Sequence, residues 1–150
     1  QNHYNLVYRE EEREMNPYCA HAGVGLTPWS PLARGILAGS YKGGFGSGST
    51  NRSKGRDRVR TEGLYRGAAT FEIADRVVDV AGKLGKTPAQ VSLAWLAGKP
   101  EVQAPVVGVS RVEQLDQLVE ACKLTLDAEL VDYLEELYEP VENLLSVGTS

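Results

Sequence analysis

The chain reads as an α/β protein in which parallel strands are covered by helices. Three observations predict this. Short apolar runs, Val24-Gly25-Leu26 continuing to Pro28, and Val102 to Val107, have the length and character of strands buried on both faces. Segments with a 3.6-residue apolar period begin near Thr70, Pro88, Ser110 and Asp127. Their order, strand then helix then strand then helix, implies crossovers that leave successive strands parallel. Only about three buried strands can be found, counting one near the start. Three strands with five or so helices do not close a barrel, so at least one apolar sheet edge is left open.

Each element has its own signal. Gln1 to Leu6 reads as a strand leading into a turn. Arg9 to Glu14 is a dense charge run that reads as a solvated helix start. Pro17 is expected to open a helical turn to His21, since proline is tolerated at the first helical position, and Gly23 to end it. Nine of the sixteen glycines fall between Gly35 and Gly67. That stretch is too polar for a regular element and reads as a long loop over 40–66, of the kind that forms lids and binding segments. Phe71, Ala74, Val77, Val78, Ala81 and Leu84 form one helical face opposite Glu72, Asp75, Arg76 and Asp79, and Gly85 closes the helix. Thr87-Pro88-Ala89-Gln90 is a capping box with proline at the first helical position. The helix it opens is apolar nearly all round, so it should be packed on two sides, with Trp95 in the core. Ser110 is expected to cap a helix carrying Val112, Leu115, Leu118 and Val119. Asp127 is expected to cap a last helix with Leu130, Leu134, Leu137 and Tyr138. Residues from Glu139 to Ser150 read as a tail.

Composition narrows the function classes. Of 150 residues, 42% are apolar and 24% charged, which suits a folded domain, or a piece of a larger one, rather than a disordered chain. The net charge of −4 argues against non-specific nucleic-acid binding. Charge is uneven, with seven basic residues and two acids between Ser40 and Arg66. Cys19 and Cys122 form no disulfide framework or metal-ligand spacing and read as reduced hydrophobes, so a cytoplasmic setting and no metal site are expected. Neither a membrane span nor a secretory signal is recognisable.

The chemistry is concentrated in Thr27-Pro28-Trp29-Ser30-Pro31-Leu32-Ala33-Arg34-Gly35. A strand end here delivers an aromatic ring, a hydroxyl and free backbone amides to one place. A large π-face beside donors of phosphate-binding size suits a flat, charged cofactor. Taken alone, Trp29 could be core packing and Arg34 a solvated charge.

Trp29-Ser30-Pro31-Leu32 together with Gly108-Val109-Ser110-Arg111-Val112-Glu113-Gln114-Leu115 resembles the C-terminal part of the aldo-keto reductases, in their aryl-alcohol-dehydrogenase-like branch, which is similar to potassium-channel β subunits. Gln1-Asn2-His3-Tyr4-Asn5-Leu6 resembles that branch's sixth barrel strand, and the resemblance covers essentially the whole chain. It implies a (β/α)8 TIM barrel of which this chain carries strands six to eight with their helices, leaving the barrel incomplete. It implies NADP as cofactor and a small aldehyde or ketone as substrate. By the same resemblance, Gln1 would hydrogen-bond the nicotinamide carboxamide and Trp29 would stack on the nicotinamide ring. Ser30, Pro31, Leu32 and Arg34 would cradle the pyrophosphate. Gly108, Ser110, Arg111 and Gln114 would hold the adenosine phosphate end, with Gln117 near the adenine. The family has an acid followed by asparagine at the adenine, where this chain has Gln117-Leu118.

General chemistry agrees with part of that placement. Ser110 lies at an expected helix N-terminus, where free amides favour an anion, and Arg111 adds a charge able to fork onto a phosphate. The family's catalytic tyrosine, lysine, aspartate and histidine belong to the first five strands, so no catalytic residue is assigned here. His3 reads as a satisfied polar residue near a barrel mouth and His21 as a surface residue. The chain alone is expected to be inactive. The alternatives are a non-catalytic NADP-binding module and an inactive fragment. Partners other than a small carbonyl compound, including nucleic acid and membrane, are not expected, and no oligomeric state can be read.

Overall fold

A computed structural model describes residues 1–41, 43–47 and 55–140. Six α-helices are present among them: α1 (Met15–Ala22), α2 (Gly55–Leu64), α3 (Thr70–Leu84), α4 (Pro88–Ala97), α5 (Val112–Ala121) and α6 (Ala128–Glu135). Short 3-10 helices occupy Glu10–Glu12, Ala33–Ala38 and Phe45–Ser47.

The three expected strands appear as extended segments joined by isolated parallel bridges, with no continuous ladder among the described residues. His3 pairs with Trp29, Trp29 with Val106, and Leu26 with Val102. Trp29 N–H donates to Asn2 O at 2.9 Å, Val106 N–H to Pro28 O at 2.8 Å and Gln103 N–H to Leu26 O at 2.9 Å. The segment around Trp29 is therefore central, and all three run the same way. This common direction brings the loops after Trp29 and after Val107 out at one end. A parallel arrangement with outer helices follows, but bridges this short do not by themselves make a barrel.

Helix α4 is the hub. Its capping box forms as expected: Gln90 N–H donates to Thr87 Oγ1 at 3.3 Å and Thr87 N–H donates to Gln90 Oε1 at 3.0 Å. Residues Val91 to Leu96 are all buried, because α3 packs on one side and α5 on the other. Helix α3 starts and ends where the periodicity predicts, and Gly85 at φ 62° supplies its left-handed C-cap. Its buried face is rotated slightly: Ile73 and Val80 are buried, while Val78 and Leu84 are exposed. Asp127 Oδ1 accepts from Leu130 N–H at 2.9 Å, so α6 is capped as expected, and Leu134 is fully buried.

Several expectations are corrected. Pro17 is the third residue of α1, not the first; the first four amides of a helix lack an internal partner, so proline costs no bond there either. The loop over 40–66 contains α2. Arg58 pairs with Glu62 one turn on at 2.6 Å, and Arg34 pairs with Asp57 at 2.7 Å, so charge pairing and a distant partner stabilise a helix that its composition disfavours. Lys42 and 48–54 of that stretch, and 141–150 of the expected tail, lie outside the described residues.

The charge run Arg9 to Glu14 is not a simple solvated face. Arg9 Nη2 lies 2.8 Å from Glu12 Oε2 and 2.8 Å from Glu135 Oε2, and its side chain is only 12% exposed. Lys99 Nζ and Trp95 Nε1 both donate to Glu135 Oε1 at 2.7 Å. Tyr4 Oη donates to Glu12 Oε1 at 2.5 Å. Opposite charges from α6 and from the end of α4 allow the run to be partly buried. Helix α5 departs too. Leu118 and Ala121 pack on Leu93 of α4, but Val112, Leu115 and Val119 of the expected stripe are exposed.

Candidate functional site

The loop from Ser30 to Gly39 leaves the central segment and turns back sharply. Ser30, Ala33 and Arg34 all have left-handed backbone, at φ 58°, 46° and 56°. Each such non-glycine residue costs about 1–2 kcal/mol. Gly35 at φ 104° and Gly39 at φ 74° complete the turn. The loop is held by its anchors. Ile36 and Leu37 are fully buried, Ser92 Oγ of α4 donates to Leu37 O at 3.0 Å, and Asn5 Nδ2 donates to Ser30 O at 2.9 Å.

Strain held this way is found where a backbone must present its polar groups. Among the described residues, the N–H groups of Ser30, Leu32 and Arg34 have no hydrogen-bond acceptor, although Ala33 N–H and Gly35 N–H are bonded within the loop. Free amides on a tight turn of this kind are donors suited to an anion.

Trp29 stands immediately before this loop and is 37% exposed. One face of the indole carries the imidazole of His3, with centroids 4.0 Å apart and planes 13° from parallel. Tyr8 stacks on the other side of His3 at 4.1 Å and 15°. Burial holds the His3 imidazole well below its usual range, at about 4, so it is neutral at neutral pH.

Tyr65 meets the edge of His3 and is buried to 1% exposure, and its Oη lies 2.8 Å from His3 Nε2 and 3.2 Å from Ser30 Oγ. Burial raises the Tyr65 phenol, which stays protonated. Sequence reasoning gave neither Tyr65 nor Asn5 a role. The one available signal was an aromatic residue in a mostly polar stretch rich in arginine and glycine.

Arg34 is not free to reach outward. Its Nη2 donates to Asp57 Oδ1 at 2.7 Å and its Nε to Thr61 Oγ1 at 3.0 Å, which ties the loop to α2. Pro31 is buried and Leu32 half-buried. Leu32 and Val107 pack against one cluster of Leu93, Leu118 and Ala121, so the loop after Trp29 and the segment leading to Gly108 share a floor.

Gly108, Ser110 and Arg111 are exposed at that same end. Helix α5 begins at Val112, with Arg111 in the capping position, so Ser110 is not the cap. The Gln114 carboxamide does the work expected of it: Gln114 Oε1 accepts from Ser110 N–H at 2.9 Å, Ser110 Oγ at 3.1 Å and Arg111 N–H at 3.2 Å. Gln1 is exposed at the start of the first segment, and Gln117 is exposed on α5, three residues beyond Gln114. The geometry thus gathers Trp29, the Ser30–Arg34 loop and the Gly108–Arg111 turn at one end of the parallel segments. No group of His, Cys, Asp and Glu able to hold a metal ion occurs among the described residues. Nor is any described helix long and apolar enough to cross a membrane.

Known proteins are similar to this sequence. An aryl-alcohol-dehydrogenase-type protein of Schizosaccharomyces pombe is 45% identical over 141 residues, which cover 94% of this chain and 38% of that protein. Versiconal hemiacetal acetate reductase of Aspergillus parasiticus is 40% identical, over 93% of this chain and 40% of its own. Aldo-keto reductase dtxS3 of Metarhizium robertsii is 41% identical, over 93% and 36% respectively. The chain therefore spans about two fifths of the length of the relatives it matches. The sequence model of the Aldo/keto reductase family matches residues 1–139, with the strained loop and the Gly108–Arg111 turn inside the match. By that match the chain belongs to the aldo/keto reductase family.

Proposed function

We propose that the complete protein reduces small aldehydes or ketones with NADP(H), and that this chain supplies the grip on the cofactor within a (β/α)8 barrel. The observation that carries the reading is the half-exposed indole of Trp29 beside three free amides of a strained loop. A flat ring joined to a diphosphate matches that pair of features. When bound, such a cofactor supplies the hydride.

This chain's residues would bind and orient. The open part of the Trp29 face would lie against the nicotinamide and exclude water from it. The amides of Ser30, Leu32 and Arg34 would donate to the pyrophosphate, and buried Pro31 would fix the turn. Arg34 would act mainly by holding α2 over the loop. Gly108 leaves room for the adenosine phosphate end, Ser110 and Arg111 would contact its phosphate, and Gln114 would keep that turn in shape. Gln1 would meet the carboxamide and Gln117 the adenine. The proton donor to the carbonyl oxygen lies outside this set.

Titration of the complete protein with NADPH and NADH tests the reading. Saturable quenching of Trp29 emission, about tenfold tighter for NADPH, together with aldehyde-dependent NADPH oxidation, is expected. A preference for NADH would remove Arg111 from the phosphate role. Binding without turnover would make the protein a cofactor-binding module. The chain by itself should show no turnover.

A further inference from the structure

His3 lies against the proposed ring platform and Tyr65 against the edge of His3, and that reading gives them no task. Their hydrogen bonds have a fixed direction. Val7 N–H donates to Asn5 Oδ1 at 3.0 Å, which sets the Asn5 amide and turns its Nδ2 toward His3 Nε2 at 3.3 Å, Tyr65 Oη at 3.4 Å and Ser30 O at 2.9 Å. With a donor facing it, His3 Nε2 is an acceptor. The Tyr65 hydroxyl therefore donates to His3, and its oxygen is left to accept from Ser30 Oγ. One hydroxyl thus joins the first segment, the strained loop and the residue that follows α2.

The stack carries this order onward. An imidazole held only by ring contacts can rotate about its own bond to the backbone side. Fixed at Nε2 by Tyr65 and backed by Tyr8, it has one plane, and the Trp29 indole lies 13° from that plane. A platform already held in its binding orientation loses less entropy on association.

We propose that His3 and Tyr65 are positioning residues that set the plane of Trp29 for the nicotinamide end of the cofactor. The proposal rests on Trp29 being the platform for that ring. Neither residue touches the reacting atoms. Their effect is confined to the ring end and leaves the adenosine end untouched, which a general packing role would not do.

Calorimetric titration of the complete protein with NADPH, and separately with adenosine 2′,5′-bisphosphate, distinguishes the two. The bisphosphate has the adenosine end and no nicotinamide. Tyr65→Phe and His3→Leu should each weaken NADPH about tenfold while leaving the bisphosphate within about twofold. His3→Phe keeps a ring against Trp29 and should recover part of the loss seen with His3→Leu. NADPH affinity within about twofold of the parent in folded Tyr65→Phe and His3→Leu would overturn the proposal, as would equal weakening of both ligands. If Tyr65→Phe does not fold, the comparison of His3→Leu with His3→Phe decides. Failure of the parent to bind NADPH while it binds the bisphosphate would instead remove Trp29 as the platform, and this proposal with it.

Discussion

The indole Nε1 of Trp95 donates to Glu135 Oε1 at 2.7 Å, across the gap between α4 and α6. The same oxygen accepts from Lys99, and the other carboxylate oxygen faces Arg9. Glu135 therefore neutralises two cations contributed by distant parts of the chain. Removing it leaves both cations to share Glu12, which lies 2.8 Å from Arg9 and 4.0 Å from Lys99. Glu135→Ala is expected to destabilise the fold by about 1–3 kcal/mol, since it removes one of two carboxylates that neutralise a partly buried pair of cations and the acceptor of Trp95. Glu135→Gln keeps a hydrogen-bond acceptor for Trp95 and should cost less. Urea unfolding midpoints of the two variants check the order.

Acid should weaken the fold in two steps. Burial pushes the His3 imidazole down from 6.5 to about 4, so between those values the unfolded chain binds a proton that the folded chain refuses. Stability therefore falls as pH drops through that window. Burial opposes ionisation of Glu135, but hydrogen bonds from Lys99 and Trp95 and the charge of Arg9 outweigh it and hold its carboxyl below the ordinary 4.5. Its contribution is present above 4.5 and is lost below. His3→Phe should flatten the decline of the melting temperature between pH 6.5 and 4 and leave the decline below it. An unchanged slope in the upper window would show that His3 is not the group responsible.

Arg34 holds α2 through Asp57 and Thr61. Arg34→Met should loosen α2 and speed tryptic cleavage after Arg56, Arg58 and Arg60. Global stability should change by less than about 1 kcal/mol, because Asp57 is half exposed and such pairs contribute little. Time courses of limited proteolysis, compared with thermal melts of the same samples, separate the local effect from the global one.

Thr87→Ala removes the side-chain half of the α4 capping box and should cost about 1 kcal/mol. Thr87→Ser should restore most of it. Because α4 is packed between α3 and α5, the loss should appear in the cooperative unfolding of the whole protein and not as local fraying. A non-cooperative change in far-ultraviolet circular dichroism would contradict this.

Local sequence determined the elements whose signals are local. Thr87 and Gln90 meet because a capping box needs only residues three apart. Asp127 caps α6 and Gly85 ends α3 for the same reason. The all-apolar α4 announced that it would be packed on both sides, since no face of it could be left in water. Trp29-Ser30-Pro31-Leu32 marked the candidate site because an exposed ring followed by a tight turn is written in consecutive residues.

Tertiary structure decided whatever depended on a partner far along the chain. Arg9 and Glu12 are partly buried only because Glu135 and Lys99 arrive from more than eighty residues away. Helix α2 forms in a stretch of glycine and arginine because Arg34 pairs with its first turn and buried Tyr65 anchors its end. Tyr65 reaches His3 across sixty-two positions, a distance no periodicity spans. Hydrophobic period and capping act over a few residues and are legible in order. Charge neutralisation, ring stacking and shared hydroxyls act through space, and only the folded chain brings their members together.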